Sequence, residues 1–258
     1  MALDWCPFAN KRQIVDSNYA SGRGGQKVQA IVLHIAEGSR AGTFAEFNAP
    51  NKLKSAHFCI GKDGAIDQYV SINNTAFANG LAWKNNQWFT GSGVQVNPSW
   101  RDIISGVNPN AYTVSIEHEG KFQETWTPEM YDANNRLLFW LSEQFELTLT
   151  PNRSLIGHWE INPVDKANCP GPNVEYARMA ADVAAISAAK KLTWMPINTD
   201  AALYKFAQEN NLGYPQMDEF PVNASGANYI AQVFNLGIVY VREGDWGNVK
   251  WVKKPEGS

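Results

Sequence analysis

Two histidines and a cysteine in this 258-residue chain are the residue types that most often bind zinc in proteins. His34 closes a run of β-branched and apolar residues, His158 ends a second short apolar run, and Cys169 precedes Pro170-Gly171-Pro172. Two imidazoles and one thiolate leave a fourth zinc position open, as in hydrolytic zinc sites. Either histidine alone is more often a hydrogen-bonded structural residue, but the three together favour a metal site.

Strands must position these groups. Residues 28–34 are β-branched and apolar, which predicts a buried strand, and residues 112–118 alternate as a second strand. Residues 56–60 and 65–70 flank an Asp63-Gly64 pair, a pattern that predicts a hairpin. His34 then lies at a strand end, where sites commonly open in α/β sheets.

Helices are predicted between and after these strands. Residues 41–48 can form a short helix, and Thr127 followed by Pro128 marks the start of a longer one. An Ala-rich segment from about 174 to 191 ends in two lysines, which suit a helix C-terminus. Residues 73–110 are rich in Asn, Gly and Trp without a clear period, so we interpret them as a functional loop.

Strands interleaved with helices predict an α/β fold with a mixed central β-sheet flanked by helices. The character of the sequence changes after Trp194. We therefore predict a first domain over residues 1–194 and a small α+β accessory module over residues 195–258.

Charge and composition exclude several functions. The net charge of −3, from 22 basic and 25 acidic side chains, gives no positive field for nucleic acid. No apolar run approaches the ~18 residues of a membrane span, so no membrane insertion is expected. The N-terminus lacks the features of a secretory signal, which predicts synthesis in the cytoplasm. Three sparse cysteines are interpreted as thiols.

Several blocks in register resemble the type-2 N-acetylmuramoyl-L-alanine amidases, a family that includes phage amidase-lysozymes and the peptidoglycan recognition proteins. The resemblance spans roughly residues 25 to 185. The blocks are V-L-H-I at 32–35, S-A-H-F at 55–58, K-D-G at 62–64, S-I-E-H-E-G at 115–120, and G-H-W-E-I-N-P with C-P-G-P between 157 and 172.

The resemblance implies an amidase-like fold and a zinc ion held by His34, His158 and Cys169. It implies catalytic roles for Glu117, as the proton acceptor, and for Lys166, which would stabilise the oxyanion. The partner would be bacterial peptidoglycan. The bond cut would be the amide between the lactyl group of N-acetylmuramic acid and L-alanine of the stem peptide.

The sequence leaves open two alternative residue roles and departs from the amidase motifs at two places. Glu119 shares a strand face with Glu117, so a shifted register would make Glu119 the base, and Lys166 could be a solvated loop residue. The family often has A-W-H-x-G where this chain has Ala76-Phe77-Ala78-Asn79-Gly80. The interval from Lys166 to Cys169 is also one residue longer than is common in the family.

Substrate contacts are predicted at three positions. The resemblance places His57 near the substrate groove rather than on the metal. We predict further contacts at Asn79 and Trp83, within residues 73–110. His118 is interpreted as a core or surface residue without a role.

Cys169 favours an enzyme, because members that only bind peptidoglycan commonly lack a coordinating residue there. We expect a phage endolysin that is made in the cytoplasm and acts on the cell wall after release. The alternatives are a non-catalytic peptidoglycan-binding protein and a cytosolic muropeptide-recycling amidase.

Residues 212–215, Leu-Gly-Tyr-Pro, begin a stretch similar to an LGFP-type repeat of cell-wall-associated proteins. This similarity implies a wall-targeting module, and the alternative is a small stabilising cap. Trp246 and Tyr240 would then line a sugar-binding face or fill a small core.

Overall fold

The computed structural model of the protein describes residues 3–190 and 197–254. The chain divides into two compact units, Met1–Ala180 and Ala181–Ser258. The predicted domain boundary after residue 194 and the predicted helix end at residue 191 both fall within 191–196, outside the described residues. The boundary therefore stays a prediction.

The first unit contains short strands along its whole length. In its described part they are β1 (Asn10–Lys11), β2 (Tyr19–Ala20), β3 (Ala30–Ile35), β4 (Phe58–Ile60), β5 (Ile66–Gln68), β6 (Thr75–Ala76), β7 (Leu81–Lys84), β8 (Gln87–Thr90), β9 (Gln95–Val96), β10 (Thr113–His118) and β11 (Leu155–Gly157).

Six of these strands form a central sheet in the order β1-β5-β4-β10-β3-β11. β4 and β5 pair antiparallel, as the predicted hairpin requires, and every other neighbouring pair is parallel. The sheet is therefore mixed, which confirms the predicted fold class. The parallel strands β3, β10 and β11 end at the same edge.

Helices follow the strands. They are α1 (Arg40–Asn48), α2 (Pro128–Phe145), α3 (His158–Ile161) and α4 (Tyr176–Lys190), with 3-10 turns at Asp16–Asn18 and Pro109–Tyr112. The Thr127 side chain accepts a hydrogen bond from the Met130 N–H at 3.1 Å, which confirms the predicted helix start. No helix in the described ranges has the length and apolar character needed to cross a membrane.

The helices cover both faces of the central sheet. Phe58 and Cys59 are neighbours on β4, so their side chains point to opposite faces. Phe58 meets Trp140 of α2 edge to face, with ring centroids 6.4 Å apart. Cys59 packs in a cluster with Phe47 of α1. The face that carries Cys59 is therefore the α1 face.

Residues 73–110, which were predicted to be a functional loop, contain regular secondary structure. Strands β7, β8 and β9 form an antiparallel sheet, and Asn85 and Asn86 have positive φ at the turn between the first two. Trp88 and Trp100 are buried in a core cluster that includes Val32 of β3. Most of the segment is thus a packed extension of the fold.

The second unit is an α+β module with its own core. It contains α5 (Ala202–Glu209) and an antiparallel sheet of β12 (Phe220–Ala224), β13 (Ala227–Phe234), β14 (Gly237–Arg242) and β15 (Lys250–Lys253). Leu203 and Ala207 of α5 pack against Phe234 and Val239 of the sheet. Trp246 is 48% exposed and is therefore not a core residue.

Candidate metal centre

The predicted ligands meet at one edge of the central sheet. His34 is the fifth residue of β3, and His158 directly follows β11 at the start of α3. β11 pairs with β3 in a register that places Gly157 beside Leu33. His158 therefore comes next to His34.

The distances bring the three side chains together. His34 Nδ1 lies 2.9 Å from His158 Nδ1. Cys169 joins them from the loop after α3, and the three ligand atoms lie within 4.8 Å of one another. The Ile35 N–H donates to Cys169 Sγ at 3.3 Å, which fixes the sulfur beside the end of β3.

Burial keeps both imidazoles neutral. It lowers the pKa of His34 and lowers that of His158 to about 3, so each ring has a nitrogen lone pair to donate. Burial also raises the pKa of the Cys169 thiol to about 12, so a thiolate here needs a nearby positive charge.

The donor set fits a zinc ion. His34 Nε2 is buried without a hydrogen-bond partner among the described residues, and His34 Nδ1 faces another imidazole nitrogen. Buried polar groups are seldom left in this state without a further ligand. His34, His158 and Cys169 would hold the cation, which would accept imidazole lone pairs and balance the thiolate charge.

Glu117 lies beside this cluster. Strand pairing places Glu117 of β10 opposite His34 of β3, so their side chains emerge on the same face of the sheet. Glu117 Oε2 is buried and has no hydrogen-bond partner in the described part of the chain. Burial raises the pKa of Glu117 to about 7, and the positive charge of Lys166 lowers it. A carboxyl group with this pKa can exchange protons near neutral pH.

Glu119 has a different environment. Its carboxylate accepts hydrogen bonds from the Arg40 N–H at 3.1 Å and from the Lys62 N–H at 2.9 Å. Both carboxylate oxygens therefore tie the end of β10 to neighbouring loops. This placement favours Glu117 over Glu119 as the base.

Lys166 is exposed on the loop that leads to Cys169. Its carbonyl oxygen accepts from the Cys169 N–H at 3.0 Å, which closes a turn across the longer interval noted in the sequence. The Lys166 charge contributes to lowering the pKa of both His34 and His158. The ammonium group is thus close enough to act electrostatically on the site, and its catalytic role stays a prediction.

His57 lies in the interior of the first unit, and a substrate contact there stays a prediction. The residue is fully buried. Its Nδ1 accepts from the Ser115 N–H at 3.1 Å, and its Nε2 lies 3.2 Å from the Asn74 carbonyl oxygen. The Arg23 guanidinium lies 3.0 Å from the same Nε2. Main-chain groups and a buried cation therefore surround this imidazole.

Asn79 acts through its backbone instead of its side chain. The residue is fully buried, and its Nδ2 donates to Thr113 Oγ1 at 3.0 Å. A substrate contact at Asn79 stays a prediction. Its carbonyl oxygen lies 3.2 Å from His158 Nε2. A proton on Nε2 leaves Nδ1 of His158 free to face His34.

Trp83 lies apart from these groups in the local sheet of β7, β8 and β9. Its ring meets that of Trp88 with centroids 4.8 Å apart, and it packs partly buried against the core cluster. A substrate contact at Trp83 stays a prediction.

The structure adds a supporting residue that the sequence did not single out. Asn110 Oδ1 accepts from the N–H groups of Ala78 and Asn79, at 3.1 and 2.9 Å. Asn110 thereby holds the backbone of Asn79, the residue whose carbonyl oxygen meets His158. Its position after Pro109 in an Asn-rich segment gave no signal of this function.

The chain was compared with known proteins. It is 29% identical over 136 residues to N-acetylmuramoyl-L-alanine amidase A of Achromobacter lyticus, a match that covers 52% of this chain and 57% of the relative. The match therefore spans little more than half of that curated relative.

Two solved structures are among the matches to this chain. The crystal structure of an AmpD derivative superposes with a TM-score of 0.50 at 20% identity, covering 70% of this chain and 98% of that one. The endolysin amidase LysCS from Clostridium intestinale gives a TM-score of 0.47 at 17% identity, covering 70% and 99%. The AmpD likeness supports the mixed-sheet architecture.

A family model described as N-acetylmuramoyl-L-alanine amidase matches residues 24–172. This range is more than half of the chain and contains His34, Glu117, His158 and Cys169. The chain therefore belongs to the N-acetylmuramoyl-L-alanine amidase family.

Proposed function

We propose that this protein is a zinc-dependent peptidoglycan hydrolase. It would cleave the amide between the lactyl group of N-acetylmuramic acid and L-alanine of the stem peptide. The observation that carries the proposal is the convergence of His34, His158 and Cys169 beside Glu117, inside the range that matches the amidase family.

His34, His158 and Cys169 would hold the zinc ion. When bound, zinc supplies a Lewis acid that polarises the amide carbonyl and acidifies water. The Asn79 carbonyl supports this role, because it holds His158 in the orientation that presents Nδ1.

Glu117 is the proposed general base and acid. Its carboxylate takes a proton from the attacking water as the new C–O bond forms, and it returns that proton to the L-alanine nitrogen as the C–N bond breaks. The buried position and the raised pKa of about 7 support both transfers. Lys166 would stabilise the negative charge that develops on the carbonyl oxygen.

The second unit favours a wall-lytic enzyme over a recycling enzyme. Soluble muropeptides need no anchor, whereas a separate α+β module with its own core can supply one. We propose that the protein is a phage endolysin, which is made in the cytoplasm and acts on peptidoglycan after release.

The test is an assay of free L-alanine amino groups released from purified peptidoglycan, with and without a chelator. We expect chelator-sensitive release by the wild-type protein and none by Cys169→Ser. A non-catalytic binding protein would sediment with peptidoglycan but release no amino groups, and that outcome would overturn the proposal.

A further inference from the structure

A cavity of about 500 Å³ lies within the second unit, between α5 and the sheet. Its volume is in the range of small-molecule sites, roughly 300–1,000 Å³. The lining includes Tyr204 of α5, Gln232 of β13 and Trp246 of the segment after β14. None of these residues takes part in the amidase chemistry proposed above.

Trp246 gives the cavity an aromatic wall. Its side chain is 48% exposed and is not part of the apolar core of the module. Tyr204 supplies a second ring and is only partly buried. Aromatic rings left in such positions offer flat apolar faces to a ligand that is itself apolar on one side.

Two side-chain amides in the lining each have one polar group in a hydrogen bond within the second unit. Asn198 Oδ1 accepts from the Asp200 N–H at 3.0 Å, and its NH₂ group makes no hydrogen bond to the described residues, so it can act as a donor. Gln232 is 8% exposed, and its Nε2 donates to the Met217 carbonyl at 3.0 Å, while its oxygen accepts no hydrogen bond from the residues of the described ranges and can accept from a ligand. The cavity therefore offers a ligand both a hydrogen-bond donor and a hydrogen-bond acceptor.

Asp218 and Glu219 add two carboxylates to the same lining. Their negative charge disfavours phosphate and carboxylate ligands. An ammonium group would need acceptors alone and would occupy a small part of about 500 Å³. A neutral ligand with many hydroxyl groups uses the acceptors, the amide donor and the aromatic faces together.

We propose that this cavity binds a neutral pyranose sugar of a glycan chain. The C–H face of the sugar would stack on Trp246, and its hydroxyl or acetamido groups would bond to the amides and carboxylates. The proposal concerns binding by the second unit and does not depend on the hydrolysis proposed for the first unit.

The experiment is isothermal titration of the full-length protein with chitotetraose, a neutral N-acetylglucosamine tetramer without a lactyl amide to cleave. We expect saturable binding that Trp246→Ala weakens by about 10-fold or more. The matched control is Trp251→Ala, because Trp251 is 37% exposed in the same module and lies outside the cavity lining. This variant should bind within about 2-fold of the wild type.

A parallel titration with tetramethylammonium chloride distinguishes a cation site. The proposal predicts no saturable ammonium binding, and it predicts that the double variant Asp218→Asn/Glu219→Gln still binds the sugar. The proposal is overturned by absence of sugar binding at millimolar concentration, by equal binding of Trp246→Ala and wild type, or by ammonium binding that the double variant loses. Thermal unfolding of each variant checks that it folds.

Discussion

The four histidines form two contrasting pairs in the same unit, all of them at most 3% exposed. His34 and His158 face each other at the edge of the sheet, and one ring nitrogen of His34 has no partner within the described structure. His57 directly precedes β4 and His118 is the last residue of β10, and each ring contacts carbonyl, amide or main-chain groups through both nitrogens. Burial alone therefore does not separate a ligand from a core histidine.

The difference lies in the polar partners. His118 Nδ1 is 2.9 Å from the His34 carbonyl oxygen and its Nε2 is 3.0 Å from Asn134 Oδ1, while its ring stacks on Trp126. Such a residue is complete without a ligand. His34 differs, because its Nε2 has no hydrogen-bond partner among the described residues. Variants at one pair or the other therefore test whether only His34 and His158 bind a metal.

The largest effect is expected for Cys169→Ser, which removes the thiolate that completes the edge site. Zinc content should fall to near zero and amide hydrolysis to background, because a hydrolytic zinc site needs its three protein ligands. Zinc is measured by plasma emission spectrometry after dialysis. Cys6→Ser is the matched control, since Cys6 is another buried free thiol and lies outside the cluster. Equal zinc in both variants would contradict the ligand assignment.

Glu117→Gln should come next, with a loss of about 10²–10⁴ in kcat and unchanged zinc content. The amide keeps the shape of the side chain but cannot accept a proton from water. Initial rates of amino-group release at saturating peptidoglycan measure the effect.

Glu119→Gln is the matched control for Glu117→Gln. It alters only hydrogen bonds to the Arg40 and Lys62 N–H groups, so it should affect stability more than kcat. A larger loss of kcat in Glu119→Gln would reverse the assignment of the base.

A smaller effect is expected for Asn110→Ala. This variant removes the acceptor that holds the backbone of Asn79, whose carbonyl oxygen orients His158. Zinc affinity should fall by roughly 10-fold, the lower end of losses for residues that support metal ligands. Competition with a chromophoric chelator measures it. Asn110→Asp keeps an acceptor oxygen and should restore most of the affinity. A loss of stability with unchanged zinc affinity would show a structural role alone.

His57→Phe tests the core pair. It leaves the Ser115 N–H without its acceptor, so the free energy of unfolding should fall by about 1–3 kcal/mol, with zinc content unchanged. Urea unfolding monitored by circular dichroism measures the loss. Zinc loss from a folded His57→Phe protein would show that the two histidine pairs do not differ in metal binding.

The smallest effect is a pH dependence of stability. Burial and the Arg23 charge lower the pKa of His57 well below its ordinary value of 6.5. The unfolded state then binds more protons than the folded state as the pH falls below 6.5, so the free energy of unfolding decreases. Urea unfolding at pH 7 and pH 5 should show this decrease, and it should be smaller in His57→Phe. An equal decrease in both proteins would assign it to other groups.

Local sequence signals predicted much of the fold. The alternation over 112–118, the Asp63-Gly64 turn and the Thr127-Pro128 helix start each match an observed element. The strands in residues 81–96 were not predicted, because each is too short to show a period, although Asn85-Asn86 forms the turn between two of them.

The site was predictable where it depends on residue type and strand ends. His34 was predicted from the end of its strand, and Glu117 was implied by the resemblance to the amidases; the two residues lie side by side near the ends of β3 and β10. The environment of His57 was not predictable, because a strand pattern does not reveal what lies across from a residue, here the Ser115 N–H and Arg23. Asn110 was missed because it acts on backbone groups that are 31 and 32 positions away in the chain.

The most direct test of the central claim is zinc stoichiometry measured side by side on wild type, Cys169→Ser and His57→Phe. The account predicts about one zinc per chain in wild type and in His57→Phe, and almost none in Cys169→Ser. Wild-type protein that binds no zinc, or Cys169→Ser protein that binds as much as wild type, would contradict it.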